Sequence, residues 1–241
     1  MLDVHPPHAP THSWRDFFIH IATICIGLLI AIGLEQTVEA IHHHHQRHEL
    51  ELELHDETRH NLDLVQGNIA HLGGLDRWIK SAITALNAAP IANGQIKRNA
   101  LPPITNFDSS IWTPSRTVWA VAKANGAVAL LPENEAQVYA RVDFEGEQIE
   151  EGEIGMARST STFTSLLKSW QGLPPAQHEY FTLAQRDALL QALSEASTGI
   201  EQLLDYEITE SGACRGALNG ARSVDEILHY IQAETLRSTK N

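Results

Sequence analysis

The chain has 241 residues and sets 17 Lys and Arg against 30 Asp and Glu, a formal net charge of −13. That balance excludes a nucleic-acid role for the chain as a whole, because displacing counterions from phosphates needs a clustered basic surface. The two cysteines, Cys25 within an apolar run and Cys214 far from it, exclude an intramolecular disulfide framework, and the length supports a core that needs none.

Residues 1–16 read as a short polar tail. FFIHIATICIGLLIAIGL, Phe17 to Leu34, follows without a formal charge, and at about 1.5 Å rise per residue it extends about 27 Å, enough for the hydrocarbon core of a bilayer. Trp14, Phe17 and Phe18 stand where an aromatic belt would sit. Only Arg15 precedes the run, and no small-residue exit precedes Glu35, so the segment is expected to be an uncleaved transmembrane anchor rather than a signal peptide. Inside it, Thr23, Gly27 and Ala31 recur every four residues, a stripe on which another helix could approach closely. Arg15 and Arg47 flank the span evenly, and the terminal amine tips the orientation. The tail is then cytoplasmic and the body extracytoplasmic, periplasmic in a cell with two membranes. The acidic body would be repelled by anionic headgroups.

Residues 35–72 read as a membrane-proximal long helix. Its stretch AIHHHHQRHELELELHDETRH, Ala40 to His60, holds seven of the chain's 14 histidines. Leu34, Val38, Ile41, His45, His48, Leu52, His55, Arg59, Leu62, Gln66 and Ile69 alternate spacings of four and three. That is a coiled-coil heptad seam on one helix from Trp14 to Leu72, ended by Gly73 and Gly74. The period-two ELELEL run is helical in that context. His44, His48, Glu51 and His55, spaced four, three and four, line one helix face and offer a ligand set for a divalent transition metal such as zinc, nickel or copper. The plainer reading is a solvated, histidine-rich helix. A third is pH sensing, because imidazoles stacked along a seam repel once protonated.

Residues 73–241 are expected to form a helical bundle domain. A short helix from Leu75 to Ala88 leads into a loop through Pro103. Thr113 and Pro114 read as the cap and first residue of a helix ended by Gly126, and Pro132 opens another from Glu133 to about Trp170, weakened by Gly146, Gly152 and Gly155. Gly172, Pro174 and Pro175 break the chain. Thr182 with Gln185 and Ser223 with Glu226 have capping-box spacing, opening helices from Leu183 to Gly212 and Val224 to Leu236. No strand pair is evident. The fold class is all-α: one N-terminal transmembrane helix continuing into a long helix that packs in an antiparallel bundle.

The segment WRDFFIHIATICIGLLIAIGLEQTVEAIHHHHQRHELELELHDE, together with VWAVAKANGAVALLPENEAQVYARVD from Val118 to Asp143, resembles a group of uncharacterised bacterial single-pass membrane proteins. The resemblance covers about a third of the chain and implies architecture only: a bacterial protein of the inner membrane with an N-terminal anchor and a helical body.

No common catalytic signature is present: HExxH, paired CxxC, the phosphate-binding P-loop, the dinucleotide fingerprint and GxSxG are all missing. Glu57 with His60 and Glu226 with His229 match the Glu-x-x-His spacing of di-iron bundles, a match that chance produces about once in such a composition. The sequence therefore points to an anchored interaction or accessory protein that works through protein partners or a second copy of itself. The alternative is a metal-, ligand- or pH-sensing module built on the His-rich helix.

Overall fold

The computed structural model describes residues 14–102, 110–171 and 179–238. Among them the order is α1 (Trp14–Ala88), β1 (Gln95–Lys97), α2 (Thr117–Asn125), α3 (Glu133–Gln171), β2 (Tyr180–Thr182), α4 (Leu183–Leu218) and α5 (Val224–Ser238). Short 3-10 turns lie at Arg98–Ala100 and Ala127–Leu130. The fold is all-α apart from one strand pair, and it divides into two compact units, Met1–Glu49 and Leu50–Asn241.

In the first unit α1 is exposed along the whole apolar run, whose side chains the described residues leave uncovered. The hydroxyls of Thr23 and Thr37 donate to the carbonyls of Ile19 (2.8 Å) and Gly33 (2.7 Å), so neither needs a partner outside the helix. By length and composition this is a candidate membrane span.

In the second unit the buried stripe of α1 runs Leu50, Leu54, Thr58, Asn61, Val65, Asn68, Leu72, Leu75, Asp76, Ile79, Ala82 and Leu86. It is a heptad-like stripe, but not the one expected. Leu52 is 53% exposed, and Arg59 and Gln66 are exposed as well. The register is displaced because Thr58, Asn61, Asn68 and Asp76 hold core positions that apolar counting assigns to the surface. Nor does the helix stop at Gly73 and Gly74. Leu72, Leu75 and Ile79 on either side of the pair are buried in the main core, and that burial outweighs the propensity penalty of two glycines, about 1 kcal/mol each.

That core is closed by Ile149, Met156, Phe163 and Trp170 of α3 and by Leu189, Leu193, Ala196, Ile200 and Leu203 of α4. Helix α4 runs antiparallel to both long neighbours: Asn68 meets Glu207 and Asp76 meets Ser197 across α1, while Gly152 meets Leu203 and Gly199 meets Ser159 across α3. Helices α1 and α3 run the same way, because the intervening chain returns to the start of the bundle. Gly152 does not weaken α3; a Cβ there would lie 2.8 Å from Tyr206 and 2.9 Å from Leu203, so the glycine permits the helices' close approach.

Gly212 likewise does not end α4. A Cβ there would sit 2.5 Å from the Ile231 Cα, so the residue lets α5 cross tightly, and the helix continues to Leu218. The Thr182 box forms in full, with Gln185 N–H donating to Thr182 Oγ1 (3.2 Å) and Thr182 N–H to Gln185 Oε1 (2.9 Å). At α5, Glu226 N–H donates to Ser223 Oγ, while the Glu226 carboxylate accepts from the main chain of Arg222.

Two further expectations fail. A strand pair exists: Ile96 faces Phe181 in an antiparallel ladder of β1 and β2 that joins segments remote in sequence, and both side chains are buried. Short, distant strands carry no hairpin signal. The Thr113–Pro114 start is also wrong, since α2 begins at Thr117 and ends, as expected, at Gly126, where φ is 80°. Thr113 donates its hydroxyl to Glu153 (2.6 Å) instead of capping a helix. The expected break at Gly172, Pro174 and Pro175 falls outside the described residues.

Candidate functional site

Among the described residues of the second unit, a dense polar construction lies where residues 110–116 cross α1 and α3. Asn61 and Asn68, seven residues and so two turns apart, project from the same side of α1. Each grips one residue of the crossing segment by its main chain. Asn61 Nδ2 donates to Ser115 O (2.7 Å) while Ser115 N–H donates to Asn61 Oδ1 (2.9 Å). Asn68 Nδ2 donates to Trp112 O (2.8 Å) and Trp112 N–H donates to Asn68 Oδ1 (3.2 Å). A carboxamide presents one donor edge and one acceptor edge, so it can pair with the main chain much as a neighbouring strand would. The segment is thereby held as a strap without being part of a sheet.

Glu57 secures the strap's exit. One oxygen, Oε1, accepts from Ser115 Oγ (2.7 Å) and from Val118 N–H (3.1 Å), placing a carboxylate at the start of α2. Arg116 completes the crossing on α3, donating from Nε to Asp143 (2.8 Å) and from Nη1 to Glu150 (3.3 Å), with Nη2 3.5 Å from Glu147. Lys123 reaches the other Asp143 oxygen at 2.8 Å. Burial pushes the Asp143 carboxyl up, but the bonds from Arg116 and Lys123 outweigh it and leave the group below its usual range.

Behind the strap, α4 contributes Glu207 and Glu210, three residues apart on one helix face and at most 1% exposed. Asn68 Nδ2 donates to Glu207 Oε1 (2.8 Å), and the Cys214 thiol donates to Glu210 Oε1 (3.2 Å). The second oxygen of each carboxyl has no hydrogen-bond partner among the described residues. Burial pushes both up to about 8, and their mutual repulsion adds to the shift of Glu207. Both are thus largely neutral at pH 7. Burial also raises Cys214, so the thiol stays protonated and is a poor nucleophile. A cavity of about 20 Å³, the scale of one water, lies among Glu57, Asn61, Arg116, Trp119, Tyr139 and Glu210. Nearby, Arg141 pairs with Glu145, whose carboxyl burial raises.

The residues singled out from sequence lie elsewhere. Thr23, Gly27 and Ala31 are exposed on the apolar run, and a Cβ built on Gly27 would meet nothing. His44 and His48 are exposed in the first unit, with His45 3.2 Å from Glu49; Glu51 and His55 are half-buried in the second. Among the described residues no three His, Cys, Asp or Glu side chains gather as a metal ligand set. Glu57 serves the strap and Glu226 the start of α5, so neither Glu-x-x-His pair faces a metal site. Sequence reasoning missed Asn61, Asn68, Glu207 and Glu210. Asn61 and Asn68 stand at heptad spacing, but Glu207 and Glu210 lie in a helix that also carries Arg186, Asp187, Glu195, Glu201 and Asp205, so nothing in the sequence set them apart.

Comparison of the chain with family models, with curated proteins and with solved structures finds no match.

Proposed function

We propose that the protein is a bacterial, single-pass inner-membrane protein whose helical body works through protein partners rather than through catalysis. The observation that carries this reading is the run from Phe17 to Leu34, helical and exposed along its whole length. Eighteen such residues in water would forfeit on the order of 1.5–3 kcal/mol for each large aliphatic side chain, so lipid is their natural surrounding. Thr23, Gly27 and Ala31 give that helix a small-residue face for a second span, from another copy or another protein. The body faces the extracytoplasmic side, and its polar core serves to hold a shaped surface.

Removal of residues 1–49 tests the division. The remaining unit, Leu50–Asn241, is expected to appear in the soluble fraction with a cooperative helical melting transition, while the full chain partitions with membranes and needs detergent. A full chain that washes off membranes with carbonate, or a truncated chain that aggregates unfolded, would sink the anchored reading.

A further inference from the structure

We propose that Trp112 and the acidic side of α3 beside it form a docking surface for a basic, Arg- or Lys-rich segment of a partner protein; the proposal rests on the reading that the body works through partners. Trp112 is 76% exposed, an unusual state for an indole on a folded domain. Yet its main chain is fixed on both sides by Asn68, and the next residue, Thr113, is tied to Glu153. A tryptophan on a free loop would lose chain entropy on binding, whereas here that ordering has already occurred in folding. An indole offers on the order of 150–250 Å² to cover, and rigid aromatic side chains of this kind dominate interface energetics.

The charge around it specifies the occupant. Thr113 places the strap against Glu153, and three residues on, Arg116 places it against Asp143, Glu147 and Glu150. One guanidinium thus serves three carboxylates, of which Glu147 and Glu150 remain 54% and 50% exposed. Glu151 and the 56% exposed Ile154 extend the same stretch of α3. The local excess is negative and the chain carries −13 in total, so the field attracts a basic segment and repels anionic lipid or a second copy with the same face. A guanidinium or ammonium over the indole face, with neighbours on Glu147, Glu150 and Glu153, satisfies both the aromatic and the acidic parts.

The test uses the full chain in phosphatidylcholine nanodiscs, titrated with a fluorescein-labelled oligo-arginine peptide and read by anisotropy at rising salt, with empty nanodiscs as reference. The peptide should bind, more weakly as salt rises. Trp112→Ala should weaken it about tenfold or more, and Trp112→Phe less, with the melting temperature unchanged because the ring is exposed. The pair Glu147→Gln and Glu150→Gln should also weaken it and flatten the salt dependence. The charge-matched control, Asp187→Asn with Glu195→Gln on α4, should change it less than about twofold. Absence of binding, equal loss in the control pair, or no effect of Trp112→Ala overturns the proposal. So does a full-length dimer that Trp112→Ala dissociates, which would assign the face to a second copy, or a Trp112-dependent preference for phosphatidylserine nanodiscs, which would assign it to lipid. If Trp112→Ala retains every protein crosslinked to the wild-type chain in native membranes, the surface is wrong while the partner reading stands. If no protein crosslinks to the wild-type chain, that broader reading fails.

Discussion

Asn68 on α1 and Glu207 on α4 are joined by a 2.8 Å hydrogen bond whose donor nitrogen also serves the carbonyl of Trp112. One carboxamide therefore ties the two long helices together and holds the strap across them. Both its amide hydrogens and its oxygen are engaged, the oxygen by Trp112 N–H. The Glu207 carboxyl receives that amide on one oxygen, and its other oxygen has no hydrogen-bond partner among the described residues. Strap, core and buried acid are mechanically one feature.

Acid should stabilise the bundle. Glu207 and Glu210 titrate near 8 in the folded chain, against 4.5 for an ordinary glutamate. Each group with a raised folded pKa gives stability that is fully present below the unfolded value and is lost as pH rises through the folded one. The loss therefore accumulates between about pH 4.5 and 8. Melting temperatures at pH 5.5 and 8.5 should differ in that sense. Glu207→Gln, which keeps an oxygen for Asn68, should narrow the difference by stabilising the alkaline state; an unchanged difference would mean that Glu207 ionises freely.

Asn68→Ala should release the strap before it unfolds the body. The change leaves Trp112 N–H, Trp112 O and Glu207 Oε1 without their partner, about 2–4 kcal/mol in all. Hydrogen exchange at the Trp112 and Ser115 amides should quicken, while Leu193, Ile200 and Leu203 in the α4 core keep their protection. Asn68→Asp should be worse, and more so at high pH, because it sets a second carboxylate against Glu207.

Glycine substitutions should divide by contact rather than by helix position. Gly212→Ala forces a methyl against the Ile231 backbone, and Gly152→Ala forces one against Tyr206 and Leu203, so both should destabilise, Gly212 more because main chain cannot swing aside. Gly74→Ala and Gly155→Ala meet open space inside helices and should stabilise by about 0.5–1 kcal/mol. Urea midpoints of the four variants would show it; a uniform gain from all four would contradict the close approaches.

Gly27→Ile should weaken self-association of the apolar span. The change fills the small face formed with Thr23 and Ala31, and the existing backbone has room for the side chain only while no second helix lies there. Crosslinking of the full chain in detergent should fall several-fold relative to Leu29→Ile. Equal crosslinking of the two variants would show that the stripe faces no copy of itself.

By itself the sequence determined what local chemistry controls. The helix through the uncharged run from Phe17 to Leu34, the helix end at Gly126 and the Thr182–Gln185 box each depend on residues within a turn or two of one another, and each is read from spacing alone. Tertiary structure decided the rest. The true stripe on α1 lies one register away from the apolar count because Asn61 and Asn68 are buried by a strap more than 40 residues distant, and nothing near them in sequence predicts that partner. Gly73 and Gly74 stay helical, and Gly152 and Gly212 pass within contact distance of neighbouring elements, because packing free energy exceeds intrinsic propensity wherever a helix is buried. Glu207 and Glu210 are buried because the packing of α4 turns them inward. A buried polar residue carries its meaning in its partner, and a partner far along the chain becomes visible only when the chain has folded.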